Sequence, residues 1–211
     1  MQLFLLDTHT ISPETVSKMA ATLPPFRAER AARCRRPEGY VQTVAGFCLV
    51  RYAIRQLDPH ANTEIWEFTE SGKPRLAAEK PFFSLSHTTH CIAVAVSAKE
   101  EVGVDIEEIK PRSRGFAARY YAKAEQRTVL TAADPESEII RLWSAKEAEV
   151  KRTGTGLAGV DLSDIPLNGV KSSRIEVAGI PHWLSVSPAA FFPPVTWVRA
   201  EQLLTDCGFE E

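Results

Sequence analysis

Gly103-Val104-Asp105-Ile106-Glu107, near the middle of the 211 residues, alternates apolar with acidic side chains. In an extended strand successive side chains point to opposite faces. Val104 and Ile106 therefore share a core-type face, and Asp105 and Glu107 share the other. The two carboxylates stand about 7 Å apart, from a rise of ~3.3 Å per residue. Close carboxylates repel unless a cation lies between them. An all-oxygen pair suits a hard ion such as magnesium, which leaves coordination positions for substrate phosphates. The alternative is an amphipathic strand with a wet acidic face.

Upstream of this strand, Phe82 to His87 and Cys91 to Ser97 read as two further strands joined by Thr88-Thr89-His90. With Val102 to Ile109 they predict a three-stranded antiparallel meander. Ser86 and His87 close its first strand, where a histidine serves as a hydrogen-bond partner, a phosphate contact or a proton carrier. Ser71-Gly72-Lys73-Pro74 has turn composition, and Lys73 is either a surface lysine or an anion contact. Further upstream, Glu64 to Thr69 reads as a short strand, and Thr43 to Leu57 as an amphipathic helix with Thr43 as its cap. Phe26 to Arg36 reads as another helix. Five of the ten residues from Arg27 to Arg36 are arginine, which gives either a solvated basic face or a clamp for a polyanion. Arg30 and Arg33, three apart, can face the same way.

Downstream, Phe116 to Leu130 and the segment from Pro135 read as helices. The second carries Trp143-Ser144-Ala145-Lys146-Glu147-Ala148-Glu149-Val150-Lys151. Glu147 and Lys151 are neighbours on one helical face, either as a surface ion pair or as part of a site. Gly154-Thr155-Gly156 closes that helix; a lysine that precedes its glycines is not a Walker-type loop. Strands are expected around 175–177, 183–187 and 195–199, with a tail from Gln202.

Composition sets the outer bounds. Hydrophobic residues at 44% and charged residues at 25% are ordinary for a globular protein, and a formal charge of −2 argues against bulk attraction to nucleic acid or membrane. Cys34, Cys48, Cys91 and Cys207 are scattered, with no Cys-x-x-Cys pair. That suggests neither a zinc knuckle nor a redox dithiol, and a reducing, cytoplasmic setting fits best. Met1 to Leu6 is apolar but meets Asp7 at once, too short for a signal peptide or a membrane span, so a strand is expected there.

Together, the Gly103–Glu107 strand and, some forty residues on, Trp143-Ser144-x-Lys146-Glu147-x-x-x-Lys151 resemble the motifs of the 4′-phosphopantetheinyl transferase superfamily. Gly72-Lys73-Pro74, the Phe83-Ser84-Leu85-Ser86-His87 strand end, the arginine-rich helix and Thr43 support the resemblance. It spans about residues 27 to 157 and is nearest the two-lobed, surfactin-synthetase-activating type. Ala148 stands where serine is common, and Pro37-Glu38-Gly39 is an unusual run after the arginines.

The resemblance implies an α+β fold of two similar lobes, residues 1–103 and 104–211, related by pseudo-twofold symmetry, each a small antiparallel sheet with a long helix. It implies transfer of 4′-phosphopantetheine from coenzyme A to a serine of an acyl, peptidyl or aryl carrier protein by a monomer. Magnesium is expected on Asp105, Glu107 and Glu147. Glu147, Lys151, Asp105 and His87 are the expected catalytic residues. Arg30, Arg33, Thr43, Gly72, Lys73, Pro74, Ser86, His87, Asp105 and Lys151 are expected to hold coenzyme A. Two rivals share the acidic cluster or the fold: a magnesium-dependent pyrophosphate hydrolase or nucleotidyl transferase, and a coenzyme A-binding scaffold without turnover.

Overall fold

The structure is a computed structural model that describes residues 1–113, 115–158 and 160–209. In chain order its elements are β1 (Gln2–Asp7), α1 (Pro13–Ala20), α2 (Pro25–Ala32), α3 (Pro37–Leu57), β2 (Trp66–Phe68), β3 (Pro74–Leu76), β4 (Phe82–His87), β5 (Cys91–Ser97) and β6 (Gly103–Glu108). There follow α4 (Phe116–Tyr120), α5 (Lys123–Thr131), α6 (Pro135–Thr153), β7 (Lys171–Val177), β8 (Ile180–Ser187), β9 (Val195–Trp197) and α7 (Ala200–Asp206). The fold is α+β, with small sheets that are antiparallel except where β9 runs parallel to β1.

The layers follow from which strand faces are apolar. The first sheet has the order β4-β5-β1-β9. Strand β5 is buried along its whole length, which fits a strand covered on both faces. Phe4, Leu6, Ile92, Val94 and Val96 point to one side, where α1, α2, α3 and α7 cover them. Leu3, Leu5, Cys91, Ala93 and Ala95 point to the other, where they meet Val104, Ile106, Leu184 and Val186 of the second sheet. That sheet has the order β6-β8-β7, and its outer side is covered by α6. The stack is thus helix, sheet, sheet, helix.

The expected meander is not what forms. β4 and β5 pair antiparallel, but β6 pairs with β8, with Asp105 opposite Ser185. β4 meets the free edge of β6 through side chains instead. Ser84 Oγ accepts from Val104 N at 3.1 Å and Ser86 Oγ from Ile106 N at 3.3 Å. Two hydroxyls thus satisfy strand amides that would otherwise be buried and unpaired. No hydropathy pattern signals this: a serine hydroxyl substitutes for a backbone carbonyl.

Helix boundaries also move. α2 stops at Ala32, and α3 begins at Pro37 rather than at Thr43. Pro37 occupies the first turn, where its missing N–H costs nothing, and Glu38 sits beside it at the positive end of the helix. Pro37-Glu38-Gly39 is therefore a helix start. The expected helix 116–130 is broken at Tyr121 and Ala122 into α4 and α5. The expected tail from Gln202 includes most of α7, whose Leu203 is fully buried against the first core; residues 210 and 211 lie outside the described part.

Candidate active site

β6 and α6 lie against each other with their periods in step. Two strand residues advance about 6.6 Å and four helical residues about 6 Å. The face of the strand that carries Gly103, Asp105 and Glu107 therefore meets α6, with strand and helix running in opposite directions. Gly103 sits against the helix backbone: a Cβ there would lie 1.8 Å from the Ala148 carbonyl oxygen. One step on, Asp105 Oδ1 accepts from Lys151 Nζ at 2.7 Å. One step further, Glu107 Oε1 accepts from Trp143 Nε1 at 3.1 Å. Glu147 lies on the stripe between Trp143 and Lys151. The glycine is needed because only a residue without a side chain lets the helix come this close.

The acidic face of β6 is consequently not wet. Asp105 is 3% exposed. Its Oδ1 also accepts from Ser86 Oγ at 2.9 Å, and Lys151 Nζ donates to the same serine oxygen at 2.9 Å. Its Oδ2 is buried with no hydrogen-bond partner. Glu107 Oε2 accepts from Arg112 at 3.2 Å. Burial first, and the Asp105 charge second, push the Glu107 carboxyl up. The same two causes raise Glu147 to about 7, against the opposing pull of Lys151. Each carboxyl is harder to ionise first because it is buried and second because the Asp105 charge stands beside it.

These groups line one cavity of about 490 Å³, walled by α2, the β2–β3 turn, the ends of β4 and β6, and α6. Arg30, Gly72, Lys73, Pro74, Ser86, His87, Asp105, Glu107, Glu147 and Lys151 all reach it. His87 has a solvent-exposed position; partial burial of its ring, then the Lys151 charge, hold the imidazole below its usual range, so it is neutral at pH 7. Lys73 follows the β2–β3 turn, in which Gly72 takes φ +85°. Its ammonium donates to the Arg152 carbonyl at 2.8 Å and pairs with Glu101. A cation at the negative end of α6 is favourable, and with the Ser71 hydroxyl on the Gly154 carbonyl it latches that turn to the helix.

Two expected residues lie elsewhere. The Arg33 side chain is 81% exposed and pairs with Glu29 at 3.4 Å. Thr43 is six residues inside α3, with its hydroxyl 3.4 Å from Cys34 Sγ; it caps nothing, because the helix starts earlier. The inward arginine pair is Arg27 and Arg30. Arg27 was missed by the sequence reading, although the i, i+3 spacing from Arg30 runs in both directions. Lys146 was missed too. It is fully buried, donates to the Leu162 carbonyl at 2.7 Å and pairs with Glu125 at 2.7 Å, so it anchors the chain beyond α6 from below the site.

The donor set fits a hard divalent cation: three carboxylates, one with an orphaned buried oxygen. As the side chains stand, no three His, Cys, Asp or Glu residues among those described converge closely enough to hold an ion. The Glu107 and Asp105 oxygens are instead held by Trp143, Arg112 and Lys151.

A pocket lined by arginines, lysines, a histidine and clustered carboxylates has the equipment of a phosphoryl-transfer enzyme. The profile of the 4′-phosphopantetheinyl transferase superfamily matches residues 101–190. The chain is 31% identical over 166 residues to 4′-phosphopantetheinyl transferase psf-1 of Bacillus pumilus, covering 75% of this chain and 71% of that one. It is 36% identical over 141 residues to AcpT of Escherichia coli K12 (64% and 67% covered) and 28% identical over 181 residues to HetI of Nostoc (81% and 76%), both 4′-phosphopantetheinyl transferases. The chain belongs to the 4′-phosphopantetheinyl transferase superfamily.

Proposed function

We propose that this chain moves the 4′-phosphopantetheine arm of coenzyme A onto a serine of an acyl or peptidyl carrier protein, releasing adenosine 3′,5′-bisphosphate. The observation that carries this is the facing pair of stripes, Asp105 and Glu107 on β6 against Glu147 and Lys151 on α6, at one wall of a nucleotide-sized cavity. The reaction breaks the bond between the phosphorus that bears pantetheine and the bridging pyrophosphate oxygen. It forms a bond from that phosphorus to the serine oxygen, and the serine proton must leave.

Lys151 is placed to meet negative charge as it develops on the leaving phosphate. Ser86 and Asp105 hold its ammonium from two sides, so it needs little reorganisation. Glu147 faces the same space and takes the serine proton, directly or through water. His87, neutral and exposed at the wall, donates to a coenzyme A phosphate. Arg30, with Lys73 and the Gly72–Pro74 turn behind it, holds the 3′-phosphate end. Asp105, Glu107 and Glu147 would hold magnesium, which when bound offsets pyrophosphate charge. We further propose that α3 with the first sheet and α6 with the second are pseudo-twofold equivalents, with coenzyme A between them.

The test is the intact mass of an apo carrier protein after incubation with this protein, coenzyme A and magnesium. A gain of one phosphopantetheine, lost in Asp105→Ala and on omission of metal, supports the reading. Tight coenzyme A binding without a mass gain on fatty acid, peptidyl or polyketide carriers sinks it.

A further inference from the structure

Cys48 and Cys207 are 159 residues apart in the chain, yet their sulfurs stand 3.9 Å apart in the fold. No Cys-x-x-Cys spacing could announce this pair, because only the packing of α7 on α3 makes it. Cys48 is fully buried on α3, and the half-buried Cys207 ends α7. Both are free thiols.

The Cys207 sulfur is surrounded by donors. Arg51, 4% exposed on α3, donates from Nη2 to Cys207 Sγ and, at 3.1 Å, to the Thr22 hydroxyl oxygen. Thr22 Oγ1 is itself 3.6 Å from the same sulfur. The hydrogen bond shared with Cys48 is the largest cause holding the Cys207 thiol below its usual range; the Thr22 hydroxyl and the Arg51 charge add to it against opposing burial. The same shared bond, then burial, push Cys48 up. Of the two, Cys207 is therefore the thiolate and Cys48 keeps its proton. Burial alone, by contrast, is the main cause that pushes the Cys91 thiol up to about 12. The thiolate is the nucleophilic form of cysteine, and an ionised sulfur beside a second thiol is the arrangement that oxidants convert to a disulfide.

We propose that Cys207 and Cys48 form a modification site, in which a hydroperoxide oxidises Cys207 and Cys48 resolves it into a disulfide that fastens α7 to α3. The Cys207 thiolate attacks one peroxide oxygen and the O–O bond breaks. The other oxygen leaves as hydroxide and takes a proton from solvent, giving water. The Cys48 sulfur then attacks the sulfenic sulfur of Cys207. The S–O bond breaks, the departing hydroxide takes the Cys48 proton as a second water, and the S–S bond forms. The two thiols lose two electrons and the peroxide gains them. Arg51 is not orphaned when the sulfur loses its charge, because Asp206 and Glu64 face it at 3.5 Å and 3.8 Å. The new bond closes a very long loop, which restricts the unfolded chain and so stabilises the fold. Neither cysteine lines the cavity, so this site stands apart from the proposed transfer reaction and does not rest on it.

The experiment exposes the reduced, full-length protein to hydrogen peroxide at pH 7, blocks the remaining thiols by alkylation and maps the peptides without reduction. The wild type is expected to lose two hydrogens in intact mass, to yield a peptide pair joined through Cys48 and Cys207, and to melt at least about 5 °C higher. Dithiothreitol should reverse all three changes. Cys48→Ala should stop at a sulfenic acid on Cys207, trapped by dimedone, and Cys207→Ser should gain no internal bond. A static polar network that merely joins Thr22, Arg51 and Cys207 predicts no linkage; that result, oxidation confined to Cys34 or Cys91, or a Cys207 bond between two molecules overturns the proposal. A linked protein that melts no higher overturns the fastening of α7. Should Cys48→Ala not fold, the wild-type map and Cys207→Ser decide the matter without it.

Discussion

Helices α3 and α6 do the same architectural job with opposite materials. Each is a long helix that begins at a proline and covers one outer side of the stacked sheets. The buried residues of α3 are Val44, Ala45, Gly46, Phe47, Cys48, Leu49, Val50, Ala53 and Ile54, with Arg51 the polar exception. The inward face of α6 includes Ser144, Lys146 and Glu149 among its apolar residues. Each of those polar groups is matched: Ser144 donates to the Asp105 carbonyl at 3.2 Å, Lys146 to the Leu162 carbonyl and Glu125, and Glu149 accepts from Arg152 at 2.9 Å and from Ser187. Burial of apolar area stabilises at α3, whereas at α6 satisfied polar groups hold a charged stripe in a fixed position. One helix secures the fold and the other presents the chemistry.

That contrast can be attacked from both sides. The largest effect is expected at the seam itself. Gly103→Val places carbon where the Ala148 carbonyl stands, so α6 cannot dock, and both soluble yield and activity should collapse. Wild-type melting and transfer by this variant would show that the strand and helix need not be so close. Next, Ile54→Ala on α3 should lower unfolding free energy by about 2–5 kcal/mol, read from denaturant titration. Transfer per folded molecule should stay within about twofold, because Ile54 lies in the first core, away from the cavity. A large fall in kcat would mean that α3 shapes the chemistry after all. On the α6 side, Lys151→Ala should lose about a hundredfold in kcat per folded molecule, the scale of one transition-state contact, and should also lower the melting point because buried Asp105 loses its cation. A loss of no more than threefold would remove its leaving-group role. The smallest effect is expected at Arg33, whose exposed pair with Glu29 is worth at most a few tenths of a kcal/mol. Arg33→Ala should leave KM for coenzyme A within about twofold, and a tenfold rise would return Arg33 to the site.

The sequence carried the two stripes because each obeys a local period: two for Gly103, Asp105 and Glu107, four for Trp143, Glu147 and Lys151. Seeing that they face each other required the resemblance, since neither period says which strand meets which helix. The neighbours of β6 were illegible for a physical reason. An edge strand satisfied by Ser84 and Ser86 hydroxyls has the same hydropathy as one paired in a meander. The arginine helix was legible as basic but not in its phase: Arg27 and Arg30 are as good an i, i+3 pair as Arg30 and Arg33, and only packing of α2 on α3 chooses between them. Thr43 looked like a cap because Pro37-Glu38-Gly39 read as an unusual run rather than as the first turn of α3.

The return of β9 to β1 bears on how the polypeptide folds as it leaves the ribosome. Leu3 pairs with Val195 and Leu5 with Trp197, and Val198, Ala200 and Leu203 complete the first core. Domains commonly fold from the N-terminus as they are made, but here β1 keeps an open backbone edge until the last strand emerges. The nascent first half thus offers a template for wrong pairing through most of translation. It follows that removing the chain from Val195 onward would injure the beginning of the protein more than the site at β6 and α6.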